Sequence, residues 1–414
     1  MNDSPATEAT RQAAQQALRR FLPNAGRLYA RSRNFDFGTE RRDNISVLSP
    51  YVRHRLLREE ELIRDVLDMH SYTDAQKFVE EVYWRTYFKG WLEHHPDIWA
   101  RYAADVREQI AKLEADSTER ERYNQAVAGR TGIDCFDAWT SELAATGYLH
   151  NHARMWFASI WAFTLELPWQ LGADYFLRHL LDGDPASNTL GWRWVCGLHT
   201  RGKTYLARVS NIANFTNYRF NPAGQLATSA PPLSENATTR RVTLADSDTL
   251  PAGGFGLLIT EEDCSAENGL VTRAPQAVLG LTASNDRSVL PVSPLVYDFA
   301  RDAVADAVKR AGEEFQCQAE VGGDRDWSAA VRSWCERSGI KTVVTPWAPT
   351  GPVCSRLEAL ETDLAADGIE LLRLRRQCDS DAWPYAGRGY FKLKRQIPQL
   401  LELAGLENTL LATG

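Results

Sequence analysis

Residues 146–155 read Thr-Gly-Tyr-Leu-His-Asn-His-Ala-Arg-Met, residues 181–188 read Leu-Asp-Gly-Asp-Pro-Ala-Ser-Asn, and residues 191–194 read Gly-Trp-Arg-Trp. On a helix, Asn151 and Met155 lie four apart and Arg154 lies three from Asn151. One face therefore carries an amide, a guanidinium and a thioether. Asp182 and Asp184 flank Gly183 in a turn, an acceptor pair suited to an N–H-bearing ring or to Arg154. Trp192 and Trp194 alternate and present two indoles to different neighbours. Taken singly, each of these residues suits a buried polar cap with core tryptophans equally well.

Outward from this stretch, the chain divides into two textures. Up to about Arg219 the pattern is helical, with long amphipathic runs over 74–92 and 136–167. Nine of the thirteen tryptophans precede residue 200. Residues 229–252 are rich in Pro, Ala, Ser and Thr and read as a linker. Beyond them, short apolar runs at 255–260, 277–283, 315–320, 340–345 and 369–374 alternate with helical patterns near 294–312, 326–338 and 354–367. That alternation predicts a parallel sheet with helices on its faces. The expected fold is multi-domain: an all-α domain over 1–228, then a Rossmann-like α/β domain over 253–414. Gly253-Gly254-Phe255-Gly256 enters the first strand and is not a phosphate-binding fingerprint.

Composition narrows the class. At 414 residues, with 44% hydrophobic and 24% charged residues, the chain fits two globular units. No apolar stretch is long enough to span a membrane, and the polar start over residues 1–9 has no signal-peptide core, so a cytoplasmic protein, monomeric and with no membrane partner, is expected. Seven scattered cysteines, never in CxxC spacing, read as free thiols and offer no metal site. The net charge of −7 weighs against a nucleic-acid partner, yet residues 1–60 hold eleven Arg against seven acids, a local patch.

Taken together, the quoted motifs resemble those of the DNA photolyase and cryptochrome family. The family's stretch runs Thr-Gly-Trp-x-His-Asn-x-x-Arg-Met, Asp-Gly-Asp-x-Ala-x-Asn and Gly-x-Trp-x-Trp. Upstream, Ile45-Ser-Val-Leu-Ser-Pro-Tyr51 is similar to its Thr-Ser-x-Leu-Ser segment, and Glu81-Val-Tyr-Trp-Arg85 to its Glu-x-x-Trp-Arg motif. The resemblance spans roughly residues 12–222. It implies FAD as cofactor, with Tyr29, Ser46, Leu48 and Ser49 toward the diphosphate. Arg154 and Asp182 would hold the polar edge of the ring, Asp184 would orient it, and Asn188 would stand by its N5. Small hydroxyl residues near a helix start commonly satisfy phosphate oxygens.

The resemblance further implies UV-damaged DNA as the partner. A damaged dinucleotide is flipped out of the duplex at an expense of a few kcal/mol. Trp84 and Trp194 would stack on its bases, Arg85 and His152 would contact it, and Glu81, Asn151 and Met155 would meet the lesion. Asn151, where relatives that repair (6-4) photoproducts carry His, matches the cyclobutane-dimer pattern. Trp192 and Trp169 would relay electrons to the flavin. The implied activity is that of a deoxyribodipyrimidine photo-lyase, a carbon–carbon lyase; the rival is a blue-light photoreceptor without repair.

Several departures stand out. His152 replaces a usual Arg, Phe78 replaces a common Trp, and no third relay Trp stands near Asp116, leaving Trp139, Trp156, Trp161 or a tyrosine as surrogate. Cys135 and Cys196 are too few for the iron–sulfur cluster of one branch. The second half resembles the family's antenna domain displaced to the C-terminus, its chromophore unspecified. Because every flavin motif precedes the linker, residues 1–245 are expected to hold FAD alone.

Overall fold

In the computed structural model, which describes residues 7–235 and 239–406, twelve α-helices from Arg11–Phe21 to Val209–Phe215 precede a five-stranded sheet. Most of the polar start over 1–9 and the last eight residues lie outside the described residues. The long helix Tyr72–His94 forms as its periodicity predicts, with the Ser71 hydroxyl accepting the Asp74 amide at its start. The run over 136–167 does not form one helix. Asp134–Thr146 ends at Gly147, whose φ of 64° is the left-handed stop that glycine tolerates. A Cβ there would come 2.6 Å from Leu181 Cγ, and the Gly147 carbonyl accepts the Leu181 amide at 2.9 Å. The helix break thus fixes the Asp182–Asp184 turn against the start of the next helix, Asn151–Ser159.

The strands are β1 (Gly256–Ile259), β2 (Ala277–Gly280), β3 (Gln318–Val321), β4 (Thr342–Pro346) and β5 (Glu370–Leu374), all parallel, in the order β3-β2-β1-β4-β5. The crossover helices Pro294–Phe315, Trp327–Ser338 and Pro352–Ala365 fall where the sequence pattern puts them. The order reverses between β1 and β4, the place where such sheets usually open a ligand crevice. Here the helical half fills it.

Glu261, Glu262 and Asp263 follow β1 and are buried. Glu262 takes both guanidinium nitrogens of Arg53, at 2.7 and 2.6 Å, and Asp263 takes Arg376 at 2.6 and 2.8 Å. Arg55 donates to Asp379 at 2.6 Å, and His54 Nδ1 lies 2.8 Å from the Glu261 carbonyl. One apolar core runs through both halves, joining Leu18, Leu62 and Phe78 to Leu257, Val304 and Leu401. The segment between Phe215 and Gly256 forms no helix or strand among the described residues, but it is pinned. Val242 donates to the His94 carbonyl at 2.8 Å, and Asp248 to the Arg373 carbonyl at 3.1 Å.

After β5 the chain returns to the helical half. Trp383 lies so close to Gly90 that a Cβ there would be 2.6 Å from its ring, and the Tyr390 hydroxyl donates to the Glu80 carbonyl at 2.8 Å. No helix among the described residues is long and apolar enough to cross a membrane.

This buried ionic seam carries an acid-stability signature. Burial alone would raise Asp184 and Asp263, but Lys89 and Arg53 hold the first, and Arg376 and Arg55 the second, at about 2. Both folded pKa values lie below the unfolded value, so their stabilisation is present above about pH 4 and is lost as pH falls toward 2. Each contributes about 2 kcal/mol. Urea unfolding at pH 6 and pH 3 should show the fall, and Asp263→Asn should be destabilised at pH 6 but show a flatter dependence.

Candidate functional site

The site forms where the inner face of Tyr72–His94 meets the Asp182–Asp184 turn and the helices Asn151–Ser159 and Pro185–Val195. Arg154 donates from Nη2 to Asp182 Oδ2 at 3.0 Å, and from Nε to the Leu149 carbonyl at 2.8 Å. Burial pushes the Asp182 carboxyl up, but Arg154 and Arg85 hold it below the usual carboxylate range. Asp184 accepts the Ser187 amide at 2.6 Å and so caps Pro185–Val195. It also faces Arg53 at 3.8 Å and Lys89 at 3.9 Å. Asn188 donates its amide nitrogen to the Ala173 carbonyl at 2.7 Å, and no hydrogen bond among the described residues engages its side-chain oxygen.

The Ser46–Ser49 loop is strained. Val47 has φ 50°, a conformation that a β-branched residue adopts only under constraint and that concentrates at functional sites. The Leu48 amide donates to Ser46 Oγ at 3.4 Å, and the Ser49 carbonyl accepts Arg85 Nη2 at 3.4 Å. Tyr29 packs edge-on against Phe21 and Phe78, centroids 5.8 and 5.2 Å away. Burial, with Glu81 nearby, pushes its phenol up.

Unsatisfied groups mark what the site is built to hold. Arg85 Nη1, Lys89 Nζ, Asp182 Oδ1 and Ser187 Oγ are buried without hydrogen-bond partners. Cationic donors beside a strained serine loop suit phosphate oxygens, and a free carboxylate oxygen suits a ring N–H. The residues present fit a large polar cofactor.

On the opposite side, Asn151 is exposed, and Met155 and Trp194 are half-buried; Trp194 lies 5.7 Å from Tyr205. Glu81 pairs with Arg33 at 2.6 Å. Burial pushes its carboxyl up and Arg33 only partly offsets this.

Two residues expected to touch substrate also pack against the protein itself. His152 is 8% exposed, stacked on Trp156 at 4.1 Å, with Nδ1 2.9 Å from the Asn34 carbonyl. Burial lowers its pKa, which favours the neutral imidazole where relatives carry a cationic Arg. Trp84 stacks on Tyr390, centroids 3.6 Å apart and rings 13° from parallel, with Tyr87 and Phe88 beside it. One face of that wall is already covered.

Trp192 is buried and meets Trp161 at 6.2 Å and Phe176 at 5.2 Å. Trp169 stacks on Tyr102 at 5.8 Å, and Tyr102 lies 5.3 Å from the partly exposed Trp99. Trp139 and Trp156 stack on each other at 5.5 Å in the core, their indole N–H groups given to Asp36 and Asn211. Arg33, Lys89, Tyr102 and Tyr390 escape the motif reading. Lys89 alone had a local signal, one helical turn beyond Arg85.

Fold and site together define a flavoprotein whose helical half is clamped to a parallel α/β sheet. Residues 78–236 match the FAD binding domain of DNA photolyase, so this part of the chain is similar to the DNA photolyase and cryptochrome family. It is 28% identical over 211 residues to the deoxyribodipyrimidine photo-lyase of Vibrio cholerae, covering 50% of this chain and 43% of that protein. With the deoxyribodipyrimidine photo-lyase of Thermus thermophilus it shares 35% identity over 207 residues, 50% of this chain and 47% of that one. With cryptochrome-1 of Arabidopsis thaliana it shares 39% over 97 residues, 23% and 14% of the two chains. The match spans less than half the length of each relative.

Proposed function

We propose that the chain is a light-driven repair enzyme for cyclobutane pyrimidine dimers in DNA, a deoxyribodipyrimidine photo-lyase. FAD, when bound, supplies the photochemistry; the protein supplies position and electrostatics. Arg154 and Asp182 orient the ring, Ser46, Ser49 and Arg85 face the diphosphate, and Asn188 keeps an oxygen free as acceptor. The observation that carries the reading is the open face of Asn151–Ser159. Exposed Asn151 and half-buried Met155 stand one turn apart beside the Arg154–Asp182 pair. Arg33 holds the Glu81 carboxyl in place near that face.

The halves are read as a helical catalytic part over 1–228 and an antenna-like part over 253–414, in exchanged order. Purified protein, reduced and illuminated, should restore oligonucleotides carrying one cyclobutane dimer and leave the (6-4) product unchanged. A neutral amide at 151 can hydrogen-bond the lesion, but it cannot supply acid–base chemistry. Glu81→Ala should lower repair about tenfold or more with FAD content retained.

The blue-light photoreceptor is the second reading, favoured by the Trp84–Tyr390 stack and the burial of His152. Turnover of neither lesion by fully reduced protein would establish it over repair.

A further inference from the structure

A basic surface assembles where two distant segments meet outside the flavin site. Residues 387–396 read Gly-Arg-Gly-Tyr-Phe-Lys-Leu-Lys-Arg-Gln, four cations and no acid, in a chain of net charge −7. Arg240 and Arg241 come from the pinned segment after the helical half. A Cβ on Gly387 would fall 2.7 Å from the Arg241 guanidinium, so the two segments touch there. Lys394 is paired with Glu80 at 2.9 Å. Arg240, Arg241, Arg388, Lys392 and Arg395 are exposed or nearly so, and none makes an ion pair among the described residues. Within this cluster Phe391 projects, 75% exposed. Its neighbour Tyr390 is anchored on Trp84 and on the Glu80 carbonyl, so the surface is held rigidly beside the candidate site.

Phe391 is an exposed ring set among cations that make no ion pair among the described residues. Acidic protein surfaces would use the charges but not the ring. A nucleic-acid strand uses both, because each nucleotide carries a phosphate and an aromatic face. We propose that Arg240, Arg241, Arg388, Lys392 and Arg395 bind the phosphates of a nucleic-acid strand while Phe391 stacks on an unstacked base. A strand held there lies beside Trp84, on which Tyr390 stacks. The inference takes from the proposed function only the class of partner.

The test uses the full chain in the dark with a fluorescein-labelled, undamaged single-stranded oligothymidylate, read by anisotropy over a range of salt. Arg388→Gln with Lys392→Gln should weaken binding and reduce the slope of log affinity against log salt by about 1.4, near 0.7 per cation. Phe391→Ala should weaken binding about tenfold, and Phe391→Trp should restore it. The altered side chains are exposed, and circular dichroism melting checks that the fold is kept. Unchanged affinity and slope in these variants would overturn the proposal. So would binding to phosphatidylserine vesicles, lost in the same variants, with no affinity for the oligonucleotide. A chain that binds but does not repair leaves this surface standing and removes the repair reading. A chain that repairs while its variants bind like the parent removes only the surface.

Discussion

Cut after residue 245, the helical half is expected to lose its cooperative fold and, with it, the flavin. Motif order alone suggests the opposite, since every cofactor motif precedes that point. The reason lies in what the second half contributes to the first. Arg53 and Arg55 are 2% and 3% exposed; their partners Glu262, Asp263 and Asp379 lie beyond the cut, while Asp184 and Glu59 remain. The cut removes these close pairs and opens the shared core that joins Leu18, Leu62 and Phe78 to Leu257, Val304 and Leu401, against the ~5–15 kcal/mol total stability of a typical protein. The helix Tyr72–His94 would also lose Trp383 and Tyr390 from its outer face. Its inner face carries Glu81, Arg85 and Lys89, so the damage reaches the site directly. Circular dichroism should show a broad, non-cooperative melt for 1–245, and coexpression with 246–414 should restore a yellow, cooperatively folding protein. A yellow fragment with a sharp melt would overturn the argument. In the full chain, Glu262→Ala should lower stability by about 3 kcal/mol, because buried Arg53 then keeps only the looser pair with Asp184 at 3.8 Å.

The elements legible in the sequence are those whose cause is local. β1 and β2 are apolar runs entered from Gly, Pro or polar residues, and buried parallel strands must read that way. The crossover helices carry ordinary amphipathic periodicity. β3 is fully exposed by burial yet pairs with β2, so its place depends on pairing more than on hydrophobicity. The flavin-side residues cluster in three short motifs, and their convergence follows from the family pattern. What stayed hidden is non-local. Tyr390 reaches Trp84 across 306 positions, and nothing near either residue announces it. His152 carries no sign of whether it faces solvent or Trp156; only the packing of Asn34 and Tyr205 around it decides. The pairing of Glu262 and Asp263 with Arg53 and Arg55 exists only once the two halves are docked.

Replacing Trp192 with Phe should leave FAD bound and slow its light-driven reduction by about tenfold or more, the response to as little as ~1.4 kcal/mol lost at the barrier. Trp192 is buried at 3% exposure, and Phe keeps the ring contacts with Phe176 and Trp161 while removing the easily oxidised indole. Its ring lies against Gly172, where a Cβ would come 2.3 Å from it, and Trp169 stands three residues earlier on the same helix. One helical turn therefore joins the two indoles along one face. From Trp169 the aromatic path continues to Tyr102 and then Trp99, which is partly exposed. Tyr102 is an unsuitable terminal donor. Its hydroxyl is buried without a partner and burial pushes its pKa well up, so a proton released on oxidation has nowhere to go. Trp99 at the surface meets solvent and can exchange its charge there. Trp169→Phe should thus slow photoreduction nearly as much as Trp192→Phe, and Trp99→Phe should slow it less while shortening the life of the separated charge in transient absorption. If Trp192→Phe is slow but Trp169→Phe and Trp99→Phe match the parent, the path runs instead through Trp161, 6.2 Å from Trp192. Parent-like rates in all three variants would remove the tryptophan relay altogether.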